Sequence, residues 1–164
     1  MRLAHTISTL FVLSIATSSS AIAVDSCGGY TSKGNPFPCG GGGNCTWWAW
    51  KMAKDNLKVD FPARGNANTW DDTARSKSSY KVSSTAASNA IAEKESSPYC
   101  VSYDNKGKCK KFEDQGHVAF VTSVKKDKKG KITDVTVSQM YWGVAGVSVK
   151  TYKADYFNNY ITKK

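Results

Sequence analysis

Two side chains in this sequence could together carry nucleophilic chemistry, Cys45 and His117. The chain has five cysteines and two histidines. His5 falls in an N-terminal segment that reads as removable, so His117 is the single imidazole of the mature chain. A thiol attacks as its thiolate, and the free N–H groups and macrodipole of a helix N-terminus stabilise that charge. Cys45 follows Gly40-Gly41-Gly42-Gly43 and Asn44 and begins a run with helical spacing. Glycines there let the backbone turn sharply and give a substrate close access to the sulfur. A thioester mechanism also needs an imidazole to pass a proton to the leaving amine, a role open to His117. The backbone N–H of Cys45 and the side-chain amide of Asn44 are candidate donors to an oxyanion. This combination suits hydrolysis of an amide.

Certain elements must position these groups. Trp47, Trp50, Ala53 and Leu57 recur at helical spacing behind Asn44 as N-cap, which predicts a helix over about 45–56 with Asn56 as terminator. Ala67, Trp70 and Ala74 share a face of a second helix over 68–75. Beyond it the period falls to two, with strands predicted at 81–82, 90–92, 118–124, 132–142 and 147–152. Asp127-Lys128-Lys129-Gly130 is a turn between two of them. Helices first and a meandering sheet afterwards make an α+β protein, with N-terminal helices packed on an antiparallel sheet. Setting Val124 opposite Ile132 places His117 opposite Gln139, their side chains about 5 Å apart on one face. Gln139 then accepts from an imidazole N–H and fixes the tautomer, without a carboxylate's charge.

The first residues read as an export signal. Arg2 and His5 precede the apolar run Ile7–Ala16, and Ala21-Ile22-Ala23 forms an A-x-A cleavage site, giving a signal peptide over residues 1–23. That run is short for a membrane span, so no stable membrane insertion is expected. Residues 24–43 form a Gly-rich lead-in and 44–164 a single domain. Sequence proximity in an oxidising compartment favours Cys27 with Cys39 and Cys100 with Cys109, leaving Cys45 free. A loop of about ten residues closed in this way is stabilised by roughly 2.5–3 kcal/mol in the chain-entropy model.

Four blocks in order resemble the CHAP domain family of cysteine, histidine-dependent amidohydrolases/peptidases. They are Gly43-Asn44-Cys45-Thr46-Trp47-Trp48, Gly65-Asn66-Ala67-Asn68-Thr69-Trp70, Gly116-His117-Val118-Ala119-Phe120-Val121, and Val137-Ser138-Gln139-Met140 followed by Trp142. The resemblance covers roughly residues 40–160. It implies a papain-like α+β fold, Cys45 as nucleophile and His117 as general base. It also implies a peptidoglycan substrate, cut at the amide joining muramic acid to the stem peptide or within a peptide cross-link. Two positions depart from the family. Asn44 stands where Gln is usual, and Ser138-Gln139-Met140-Tyr141 stands where the family has Ser-Glu-Met-Asn, so Gln139 replaces the third catalytic member. The segment Glu93–Gln115 is longer than the family norm and reads as a stapled loop near His117 that shapes substrate choice.

The charge fits an envelope location. With 23 Lys+Arg against 13 Asp+Glu the formal net charge is +10, and lysines cluster at 106–111 and 125–131. Such a protein concentrates on anionic envelope polymers. Export and the lack of a recognition motif argue against nucleic acid. A single histidine among dispersed cysteines argues against a zinc site, so no metal and no cofactor are expected. Trp47, Trp48, Trp50 and Trp70 read as core rather than as sugar platforms. The protein is expected to act secreted, periplasmic or at the cell wall, as a monomer. Two alternatives are a catalytically impaired basic wall-binding module and an antibacterial effector enzyme using the same chemistry.

Overall fold

A two-residue pairing of Ser26–Cys27 (β1) with Tyr30–Thr31 (β2) leads into the first helix. The computed structural model describes residues 26–164, so the signal peptide read over 1–23 lies outside the described residues. Helix α1 spans Cys45–Leu57, and Asn44 caps it by accepting from the Thr46 N–H at 3.1 Å. Trp47, Trp48, Ala49, Trp50 and Ala53 are all buried, because the helix is wedged between the sheet and the segment 35–39. It ends at Leu57, with Lys58 in the left-handed conformation (φ 55°) as its cap. Asn56 is therefore inside the last turn, where its amide donates to the Met52 carbonyl at 2.9 Å, rather than terminating the helix. The single helix expected over 68–75 is divided. Ala67–Thr69 forms a 3-10 turn, tightened by bonds from the Thr69 N–H and hydroxyl to the Asn66 carbonyl, and α2 runs over Trp70–Arg75.

The strands are β3 (Tyr80–Ser83), β4 (Ala90–Lys94), β5 (Pro98–Tyr103), β6 (Cys109–Asp114), β7 (His117–Lys126), β8 (Ile132–Tyr141), β9 (Val144–Lys153) and β10 (Asn159–Lys163). Six of them make one antiparallel sheet in the order β3-β10-β4-β7-β8-β9. The carboxyl-terminal strand β10, not read from the sequence, inserts between β3 and β4. β5 and β6, also unread, pair only with each other and carry the Cys100–Cys109 disulfide. One face of the sheet packs Ile91, Val118, Met140 and Ile161 against the tryptophans of the helices. The other buries Ala90, Ala92, Ala119, Val121, Val135, Val137 and Tyr160 beneath Ala86 and Phe157. The protein is α+β, as the helix and strand patterns require.

The pairing of β7 with β8 differs from the expected register. Val124 faces Val135, not Ile132, which instead faces Lys126. Nearer the chain's start β7 carries an extra residue, Thr122, so that Val121 faces Val137 and Phe120 faces Ser138. This bulge matters because side chains alternate between faces. Continued unbroken from Val124 and Val135, the ladder would put Gln139 on the face opposite His117. The bulge restores them to one face, two residues out of the expected step: the register now carries His117 towards Tyr141, with Gln139 on the diagonal. The rings of His117 and Tyr141 stack at 5.1 Å and 13°.

Of the four glycines before Cys45, Gly40 and Gly43 pack closely against the β8–β9 turn region, while Gly41 is exposed. Gly43 is buried, and a Cβ there would sit 2.0 Å from the Val144 carbonyl oxygen and 2.6 Å from that of Tyr141. The Gly143 N–H donates to the Gly43 carbonyl at 3.1 Å. Only glycine lets the start of α1 lie against the β8–β9 turn, which fixes Cys45 relative to the end of β8.

Candidate active site

The start of α1, the starts of β7 and β5 and the end of β8 meet around a cleft of about 420 Å³. Cys45, His117, Tyr141, Trp142, Tyr99 and Arg64 all contribute to its lining. Disulfides join Cys27 to Cys39 and Cys100 to Cys109, so Cys45 is the free thiol. It occupies the first position of α1. Burial pushes the Cys45 thiol up, partly offset by the backbone N–H groups of Val118, Thr46 and Cys45 itself. The Val118 amide follows His117 directly, so the sulfur lies beside the strand that carries the imidazole.

His117 is 7% exposed, and burial pulls its pKa below the ordinary value while the Gln139 bond acts the other way. Both shifts favour the uncharged forms, so the resting pair is neutral thiol and neutral imidazole. Gln139 is fully buried and its Oε1 lies 2.8 Å from His117 Nε2. Its own Nε2 donates to the Tyr141 and Tyr152 hydroxyls, each at 2.9 Å. Those two bonds use both amide N–H groups and leave the carbonyl oxygen for the imidazole. His117 Nε2 is then the protonated nitrogen and Nδ1 the basic one. Burial and the Tyr152 hydroxyl push the Tyr141 phenol up, which keeps it an uncharged partner. One residue earlier, Ser138 turns to the opposite face, where its hydroxyl accepts from the Trp48 indole at 3.0 Å.

Asn44 is held by three bonds. Its Oδ1 accepts from the Thr46 N–H and hydroxyl, and its Nδ2 donates to the Pro38 carbonyl at 2.7 Å. One amide N–H is thus committed to Pro38, leaving a single one for a substrate.

Three lining residues had no site role legible in the sequence, although Trp142 closes a family block. Tyr99 comes from the stapled hairpin, and burial, Glu113 and Cys45 all raise its phenol. Trp142 is 55% exposed and lies across Gly40, where a Cβ would come within 2.6 Å of the ring. Arg64 is an exposed cation from the segment between α1 and the 3-10 turn. The long segment 93–115 hinted at Tyr99 and the fourth family block took in Trp142, whereas nothing local marks Arg64.

Outside the cleft, Asp71, Glu93 and Glu95 bring carboxylate oxygens within 4.8 Å of one another, a set that could ligate a cation. The Asn159 Nδ2 lies among them at 3.2, 2.9 and 3.3 Å, and burial pushes Glu93 up to about 7. Their wide separation in sequence hid this cluster.

The sequence model of the CHAP domain family matches residues 33–140, a span that takes in Asn44, Cys45, His117 and Gln139. The chain belongs to the CHAP domain family. The chain is also similar to the crystal structure of an N-acetylmuramoyl-L-alanine amidase from Staphylococcus aureus, with a TM-score of 0.53 and 25% identity. That likeness covers 74% of this chain and 31% of the amidase, so the chain corresponds to under a third of that protein. No curated protein matches the chain. The CHAP domain here has the papain-like α+β arrangement. The matched span stops at Met140, yet Tyr141 and Tyr152, beyond it, supply the hydroxyls that orient Gln139.

Proposed function

We propose that this CHAP protein is an exported peptidoglycan hydrolase that cuts an amide bond through a thioester on Cys45. The observation that carries this reading is the pairing of a free thiol at a helix N-terminus with an imidazole held by Gln139, both facing one cleft. Membership of the CHAP family and likeness to the staphylococcal amidase support the substrate class.

The neutral resting pair implies that proton transfer accompanies attack. His117 Nδ1 takes the thiol proton as the sulfur bonds to the amide carbon, and the carbonyl electrons move onto oxygen. The Cys45 N–H and the remaining Asn44 amide N–H stabilise that oxyanion. His117 returns the proton to the leaving nitrogen as the C–N bond breaks, leaving the thioester. It then takes a proton from water, which attacks the thioester and releases the carboxylate product and the thiol. Gln139 holds the ring throughout by accepting from Nε2–H. The chemistry calls for no metal and no organic cofactor.

The two disulfides suit an oxidising compartment outside the cytoplasm, and among the described residues no helix is long and apolar enough to cross a membrane. The lysine-rich surface favours anionic envelope polymers. The scissile bond is either the N-acetylmuramoyl-L-alanine amide or a cross-link. Incubation with purified sacculi, followed by mass analysis of released fragments, separates the two by the new termini formed. Sacculi that bind the protein yet release nothing, with identical results for Cys45→Ala, would instead favour a wall-binding module; the uncharged Gln139 is the observation behind that alternative.

A further inference from the structure

We propose that Arg64 forms a carboxylate subsite in the cleft, where it recognises a free carboxylate on the peptide beside the bond that Cys45 attacks. This rests on the peptidoglycan reading above and deepens it. The lining contains no Asp, Glu or Lys, so Arg64 is its one permanently charged side chain. The chain builds its positive charge almost wholly from lysine and has three arginines, Arg2, Arg64 and Arg75. Arg75 is bound to Asp71 at 3.3 Å. Arg64 makes no ion pair among the described residues.

Its setting is rigid. The flanking Phe61 and Ala63 are fully buried, Phe61 against the rings of Trp70 and Tyr80, each at 5.0 Å. The Phe61 carbonyl accepts from the Trp50 indole at 3.1 Å. Alternation therefore turns Arg64 outward into the cleft while its neighbours anchor the backbone. Its Nη1 donates to the Ala63 carbonyl at 2.7 Å and to that of Phe61 at 3.4 Å. One nitrogen pins the guanidinium, and Nη2 and Nε remain as the parallel pair of donors that matches two carboxylate oxygens. Apolar lining from Phe37, Pro38, Tyr99, Tyr141 and Trp142 lowers the local dielectric and strengthens such a pair.

Peptidoglycan stems offer two sources of this group, the α-carboxylate of a γ-linked glutamate and the free carboxylate of a diamino acid. The test measures calorimetric binding of Cys45→Ala protein to muropeptides bearing either carboxylate free or as its carboxamide. Amidation at one position should weaken binding about ten- to hundredfold, the range of a lost charge-assisted pair. Arg64→Gln should lose the same factor on the free acid and lose nothing more on the amide, while Arg64→Lys keeps part of it. In protein with Cys45 intact the discrimination should appear in KM. Equal affinity for acids and amides at both positions overturns the proposal, as does discrimination that survives in Arg64→Gln or failure to bind any muropeptide. The amidation arm needs no Arg64 variant to fold. Because binding is read without turnover, failed hydrolysis and failed carboxylate recognition are distinguishable.

Discussion

Gln139 reaches His117 from the diagonal position of the neighbouring strand, its Oε1 2.8 Å from Nε2, while Tyr141 covers the ring. A neutral acceptor thus holds a buried neutral imidazole. Gln139→Glu places a negative charge at Nε2 and favours the imidazolium, so the His117 pKa rises. In wild type, burial pulls the His117 pKa below the ordinary 6.5, so the acidic limb of kcat/KM should fall below that value. The Glu variant should move that limb to higher pH at equal or greater plateau activity. Gln139→Ala should lower the plateau, yet by less than loss of His117. Coincident profiles for all three proteins across pH 5–9 would make Gln139 a bystander.

Alkylation reports the charge state of Cys45. Only the thiolate reacts quickly with iodoacetamide, and burial raises this thiol above its ordinary range. The rate in the free protein should therefore stay low through neutral pH and climb only in the alkaline range. A fast plateau between pH 5 and 7 would reveal a preformed thiolate–imidazolium pair. Thiol titration of the folded protein should count one group, mapped to Cys45.

Cys45→Ala and His117→Ala should each reduce release of wall fragments to the same very low residual rate while leaving the circular dichroism unchanged. Nucleophile and base act as a unit, so the double variant should be no slower than either single one. A further large loss in the double variant would show that the two act independently.

Gly43→Ala tests the contact that seats the start of α1. The new Cβ would meet backbone oxygens of Val144 and Tyr141 that have no rotamer to move. Urea denaturation should show a loss of about 3 kcal/mol or more, in the class of overpacked core substitutions. Gly130→Ala, at a left-handed turn position with open space around it, should cost about 1–2 kcal/mol. Equal costs at the two sites would remove the close approach as the reason for glycine at 43.

The amino-acid sequence by itself determined the candidate reactive groups and their local frame. Asn44 must cap because its amide mimics a backbone partner, and the spacing of Trp47, Trp50 and Ala53 makes a helix with Cys45 at its start. Proximity along the chain paired Cys27 with Cys39 and Cys100 with Cys109. Alternation marked β7 and β8, and the order of helices and strands set the α+β class. Register and convergence belonged to the tertiary structure. A bulge at Thr122 leaves no mark in an alternating run, yet it decides which face Gln139 shares, since one residue of slip inverts every side chain. β10 finds its place between β3 and β4 only through pairing partners far away in sequence. Arg64, Tyr99 and Trp142 border the same cleft because three separate segments fold together. Local propensity acts over a few residues, whereas a binding surface is assembled from contacts between segments whose separation along the chain carries no signal.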